Sequence, residues 1–177
     1  MKKFQTVFKL PSRAKLSRVT SENQGFVESL YYQRNIHLIL NRLDELAKSR
    51  EAALFDVVEP FTRHRNSLVR HRAFEVLFKT DKLRARPKLE DALSDPSVYV
   101  VGTVLHCIDE YPDSTENIAK MLSHKDTQIK SIAAQLLFGH KAHPLAVEGL
   151  TKCLKHRKNE LRVSALRAIA SMGDEKA

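Results

Sequence analysis

Eight histidines and two cysteines are the side chains of this chain best suited to metal or nucleophilic chemistry. None of His37, His64, His71, His106, His124, His140, His143 or His156 is followed by glutamate, so paired His-Glu ligation on a helix is absent. Most also stand beside Lys or Arg, which repel a divalent cation. Cys153 and His156 share a helical spacing, but two ligands do not make a zinc site. Both thiols, Cys107 and Cys153, fall inside apolar helical patterns and read as small buried side chains. The glycines at 25, 102, 139, 149 and 173 are too scattered for a phosphate-binding loop, and no Gly-x-Ser-x-Gly segment occurs. No catalytic residue, metal ligand or cofactor-binding residue is assigned, and a non-catalytic protein without cofactor is expected.

What remains for function is charge and shape. The net charge is +9, concentrated in two places. Residues 1–23 carry six Lys/Arg against Glu22, and residues 61–88 carry nine against Glu75 and Asp81. A basic belt on a slightly acidic body points to an acidic protein, a nucleic acid or an anionic membrane. Its candidate anion contacts are Arg63, Arg65, Arg70, Arg72, Lys82, Arg84, Arg86 and Lys88. Aromatic content of 7% without any Trp argues against base stacking, so nucleic acid ranks second to protein as the partner.

The elements that position these residues are helices. Five glycines and six prolines leave little room for tight turns, and a 42% apolar fraction supports a folded core. Four segments superpose: one apolar residue, then a small one four positions on. They are Val69/Ala73, Val98/Gly102, Ile129/Ala133 and Leu161/Ala165. Residues four apart share a helical face, and a small residue there lets a second helix approach closely. Asn66, Asp95, Asp126 and Asn159 precede these helices as capping residues, with Pro96 expected at a first helical position. Shorter helices ending near Leu93, Leu122 and Leu154 alternate with them. Val98–Val104 is β-branched enough to pass for a strand in isolation, but the repeat register makes it helical.

The Asx turn, apolar-basic pair and small residue of Asp126–Ala133, with the closing run Leu161–Ala177, resemble HEAT-like repeats of the short, phycobilisome-lyase-like variety. The resemblance covers about residues 50–177. It implies an all-α superhelix, a right-handed solenoid of antiparallel helix pairs whose second helices line the concave surface. It also brings in, as an alternative function, a bilin-lyase-like accessory protein. The two-iron site of the deoxyhypusine hydroxylase relatives is not implied, since their His-Glu pairs are missing.

The expected organisation is a basic, mobile N-terminal segment over 1–23 and a repeat array over 24–177. A single capping helix over 24–49 opens the array. The expected function is a protein-protein interaction scaffold. Its candidate partner surface is the second-helix set His71, Glu75, Val100, Val104, Gln135 and Arg167, in which Val100 and Val104 would form an exposed apolar patch unless neighbouring repeats bury that helix. At the C-terminal end, Leu161, Ala165, Leu166 and Ile169 are expected to pack backward and leave a face open to self-association. Met172–Ala177 resembles a linker into a further pair, so a fragment of a longer array is expected. The two unpaired thiols fit a cytoplasmic setting, and no run of about 18 apolar residues forms a membrane span.

Overall fold

The computed structural model describes residues 11–173. Among them are α1 (Arg13–Leu16), α2 (Ser21–Tyr32), α3 (Ile36–Ser49), α4 (Leu54–Val58) and a 3-10 turn (Glu59–Arg63). There follow α5 (Ser67–Thr80), α6 (Lys82–Ala92), α7 (Val98–Asp109), α8 (Thr115–Met121), α9 (Thr127–Leu136), α10 (Pro144–Cys153) and α11 (Asn159–Gly173). No strand occurs among the described residues, and none of their helices is long and apolar enough to cross a membrane. The chain divides into two compact units, Met1–Lys88 and Leu89–Ala177, with the boundary inside α6.

In the first unit α3 packs against α5, with α2 on α3 and with α4 and the 3-10 turn on α5. Tyr31 anchors its core. The phenol donates to the Val57 carbonyl at 2.6 Å and meets Phe61 edge-on at 5.0 Å. Burial, then the Glu59 charge, pushes its ionisation far above the ordinary phenol value, so it stays a donor. In the second unit α9 lies between α7 and α11, and the shorter α8 and α10 pack on each other beside them. Second helices are thus neighbours within each unit, as the repeat spacing requires.

One hydrogen bond starts every second helix. The residue two before the cap accepts the cap's own backbone N–H through its side chain. Gln33 Oε1 accepts from Asn35 at 3.1 Å, His64 Nδ1 from Asn66 at 3.0 Å, and Asp95 Oδ1 from Ser97 at 2.8 Å. His124 Nδ1 accepts from Asp126 at 3.0 Å and His156 Nδ1 from Lys158 at 3.1 Å. Asn35, Asn66 and Asp126 then accept in turn from the first helical turn, which would otherwise leave those donors orphaned.

These caps correct the register of the second repeat. Asp95 is not the cap of α7. It bonds the N–H of Ser97 across Pro96, and the helix starts at Val98. The third helical residues are therefore Val69, Val100, Ile129 and Leu161, all fully buried, and four positions on stand Ala73, Val104, Ala133 and Ala165, also fully buried. Val100 and Val104 are core residues rather than a partner patch. Tyr99, 71% exposed, takes the outward place instead.

Two expectations at the N-terminal end also change. The stripe over 24–49 is two helices, α2 and α3, because Gln33 and Asn35 take up the N–H groups at the break. Within the segment expected as a tail, residues 1–10 lie outside the described residues, but Val19 is buried. Beside it, Glu51 accepts the Thr20 N–H at 2.7 Å, the Thr20 hydroxyl at 3.1 Å and the Asn23 amide at 2.8 Å. At the other end Leu161 and Ala165 are buried as expected, whereas Leu166 is 60% exposed and Ala168 and Met172 take the inward positions. Residues 174–177, which include the expected linker, lie outside the described residues.

Candidate partner-binding grooves

Counting from each cap, the ninth residue of a second helix points outward. In α5, α7, α9 and α11 these residues are Glu75, His106, Gln135 and Arg167. Three of them were legible as a surface set, and the corrected register adds His106, which is exposed.

Among the described residues, each unit has a depression between neighbouring second helices. In the first unit a groove of about 910 Å³ is lined by Arg72, Glu75 and Lys79 of α5. The opposite wall holds Arg42, Asp44 and Lys48 of α3, with Phe26, Asn41, Glu45, Ala47 and Arg50 around them. In the second unit a smaller depression of about 530 Å³ is lined by Gln135 and Phe138 beside Ser164 and Arg167. The α5, α9 and α11 residues lie six, nine, twelve or thirteen positions after their caps in both cases. Gln135 and Arg167 are thus brought together, as are Glu75 and Arg72. His71 stands beside Glu75 at 3.9 Å, on the edge of the first groove.

Ion pairs organise the first groove. Arg72 bridges its two walls, with Nε 2.9 Å from Asp44 and a terminal nitrogen 2.5 Å from Glu75. Lys48 pairs with Glu45 at 2.8 Å. Arg42 lies over the Phe26 ring at 4.9 Å, a cation–π contact. Arg50 holds the left-handed C-cap of α3 at φ 52°.

The basic belt, by contrast, is mostly committed inside the first unit. Arg84 reaches Asp56 at 2.5 Å and stacks over Phe55 at 4.2 Å, Lys88 reaches Glu59 at 2.6 Å, and Lys82 lies over Phe78 at 4.7 Å. Arg70 donates to the carbonyls of His64 at 2.9 Å and Arg65 at 3.3 Å, bracing the turn before its own helix. Arg162 repeats that brace on His156 and Arg157 at 2.9 and 3.1 Å. Arg86 is half-buried, while Arg63 and Arg65 are exposed.

The acceptor histidines are structural. Burial, and then the charges of Arg65 and Arg70, hold His64 below the ordinary imidazole value, and its bond to Asn66 needs an unprotonated Nδ1. Burial likewise raises the Cys153 thiol against a smaller opposing effect of Lys130, which keeps it protonated and unreactive.

With this geometry in place, the chain is similar to solved helical-repeat structures. A designed armadillo repeat protein, YIII(Dq.V1)4CPAF in complex with the peptide (KR)4, superposes with a TM-score of 0.60 at 12% identity. The match covers 85% of this chain and 81% of that one. Two engineered proteins, Northeast Structural Genomics Consortium targets OR366 and OR329, superpose with TM-scores of 0.59 and 0.56 at 16% and 15% identity. Each match covers 86% of this chain, against 81% and 80% of theirs. No protein-family model and no curated protein matches. The likeness establishes the fold, an all-α helical-repeat fold of armadillo type.

Proposed function

We propose that this chain is a non-catalytic protein-binding scaffold that takes its partners on the outward face of its second helices. The observation that supports it most is the recurrence of a depression at equivalent helix positions in both units, lined by different chemistry each time. A repeated backbone with a variable surface row is how a solenoid presents a partner site without a motif. The two-helix unit repeating every 29–32 residues at its caps favours the HEAT-like variety over a three-helix armadillo unit.

Nucleic acid is the weaker reading. Duplex backbone carries a charge about every 1.7 Å, whereas Arg70, Arg72, Arg84 and Lys88 are spent on internal carboxylates and carbonyls. The bilin-lyase-like alternative has repeat type alone in its favour.

A photo-crosslinking residue placed at Glu75, Gln135 or Arg167 is expected to capture a protein from native extract, with nuclease treatment making no difference. The same residue at exposed Leu83 or Lys152 serves as the control. Equal capture at all five positions, or capture lost with nuclease, would remove the proposal.

A further inference from the structure

We infer that the groove between α3 and α5 is the docking site for a carboxylate-rich segment of a partner protein. This rests on the scaffold reading and names the chemistry that one of its grooves accepts.

Charge complementarity carries the inference. Of the groove's carboxylates, Asp44 and Glu75 share Arg72, and Glu45 pairs with Lys48. Among the described residues, the cations Arg42, Arg50 and Lys79 have no carboxylate partner. Arg50 and Lys79 are exposed, and Arg42 is half-buried with its guanidinium over the Phe26 ring. What the groove offers outward is therefore three further donor groups on a lining of five cations against three carboxylates, a net charge of +2. Bidentate or charge-assisted bonds to carboxylates are the interactions those groups make best.

The walls also select against a phosphate backbone. Glu45, Asp44 and Glu75 remain in the groove as fixed negative charges, which a discrete side-chain carboxylate can sit between and a continuous polyanion cannot avoid. Half-buried Phe26 adds apolar surface for the aliphatic part of a peptide, a feature a sugar-phosphate chain does not use.

The test titrates the full chain with three labelled probes at about 50 mM and 200 mM salt. The probes are a short glutamate-rich peptide carrying one leucine, a lysine-rich peptide of equal length, and a single-stranded oligonucleotide of matched charge. The glutamate-rich peptide is expected to bind tightest. The combined Arg42→Glu, Arg50→Glu and Lys79→Glu variant is expected to weaken it by at least about tenfold, since steering and contact both reverse. The Arg63→Glu, Arg65→Glu double variant removes exposed belt charge outside the groove and is expected to change affinity less than about twofold. Circular dichroism of each variant checks that it is folded. If the triple variant loses its helix signal, single replacements by Gln at the same residues supply the measurement.

Tighter binding of the oligonucleotide, or an equal loss from the belt variant, overturns the inference in favour of general polyanion attraction. Failure here is separable from failure of the scaffold reading. Crosslinking at Gln135 and Arg167 with no peptide binding at the α3/α5 groove sinks this inference alone, whereas peptide binding without any crosslink sinks the other.

Discussion

The α3/α5 groove and the α9/α11 depression occupy the same positions on the same kind of helix, yet share almost no surface chemistry. The first is walled by ion pairs, one of which, Arg72–Asp44, crosses from helix to helix. The second has Phe138 standing 62% exposed beside Gln135 and Arg167, with Leu166 and Val163 exposed on the same helix as Arg167. Beneath both, the buried rows are alike: Val69 and Ala73 in α5, Ile129 and Ala133 in α9, Leu161 and Ala165 in α11. The difference teaches that packing fixes only the inward positions of a second helix. The rows six, nine and twelve or thirteen residues after the cap are free to specialise.

The strongest way to break that comparison is to attack what the two regions share. Ala73→Leu in α5 and Ala165→Leu in α11 each insert three carbons at a fully buried helix crossing. Each is expected to cost on the order of 1–3 kcal/mol in chemical denaturation. An unchanged midpoint for either would mean that its helix is not held in the common register. Gly149→Ala makes the same point for a first helix, because its new Cβ would lie 2.7 Å from Leu122 Cδ1 and 3.0 Å from Leu122 Cβ.

How much of this was legible turns on where each signal lives along the chain. The repeat could be read because an apolar residue and a small one four positions later are local, and three of the four register pairs are the buried ones. The second repeat slipped by two because Asp95-Pro96 has the composition of a cap and a first helical residue. The bond that makes it a pre-cap turn goes to Ser97. Three of the eight histidines, His64, His124 and His156, stand two residues before a cap, a spacing present in the sequence but masked by the aspartate at 95 and the glutamine at 33. The basic belt misled for a different reason. The acids that neutralise it, Asp44, Asp56 and Glu59, lie about a repeat upstream, and only the fold sets them opposite Arg72, Arg84 and Lys88. The α3/α5 groove was invisible because its inner wall belongs to a helix that looked like part of a single cap.

The acceptor histidines sharpen the comparison through pH. His64 has its folded-state value held below the unfolded one of about 6.5. A depressed value means that the unfolded chain binds the proton more readily, so this contribution to stability is complete above about pH 6.5 and is lost as pH falls through the folded value. Melting temperature is expected to fall between pH 7 and pH 5. In His64→Gln the fall should be smaller, because Gln33 shows that a glutamine takes the same bond without titrating. Identical pH profiles for the two proteins would exclude His64 as the source.

Weaker still is the expected effect of uncoupling the groove walls. The Arg72–Asp44 pair is more than a third exposed on both sides, so solvent screens it. A double-mutant cycle with Arg72→Ala and Asp44→Ala is expected to give a coupling of about 0.2–1 kcal/mol. A coupling near zero at low salt would leave the two walls joined by packing alone. No comparable cross-helix ion pair is found among the described residues lining the α9/α11 depression, so charge removal there, as in Arg167→Ala, is expected to leave stability unchanged.

At Arg50 the expected effect on stability has the opposite sign. Arg50 ends α3 at φ 52°, the single non-glycine residue with positive φ among those described. A side chain with a Cβ pays steric strain there that glycine does not, while glycine gives back part of the gain through a freer unfolded chain. Arg50→Gly is therefore expected to stabilise the protein by about 0.5–1 kcal/mol. The same substitution deletes one of the three α3/α5 groove cations that have no ion pair among the described residues, so affinity for the glutamate-rich peptide should fall as stability rises. That divergence separates binding from folding within one variant. Higher stability with unchanged affinity would strike Arg50 from the groove's donor set, and lower stability would show that its side chain is worth more to the α3 cap than its backbone strain costs.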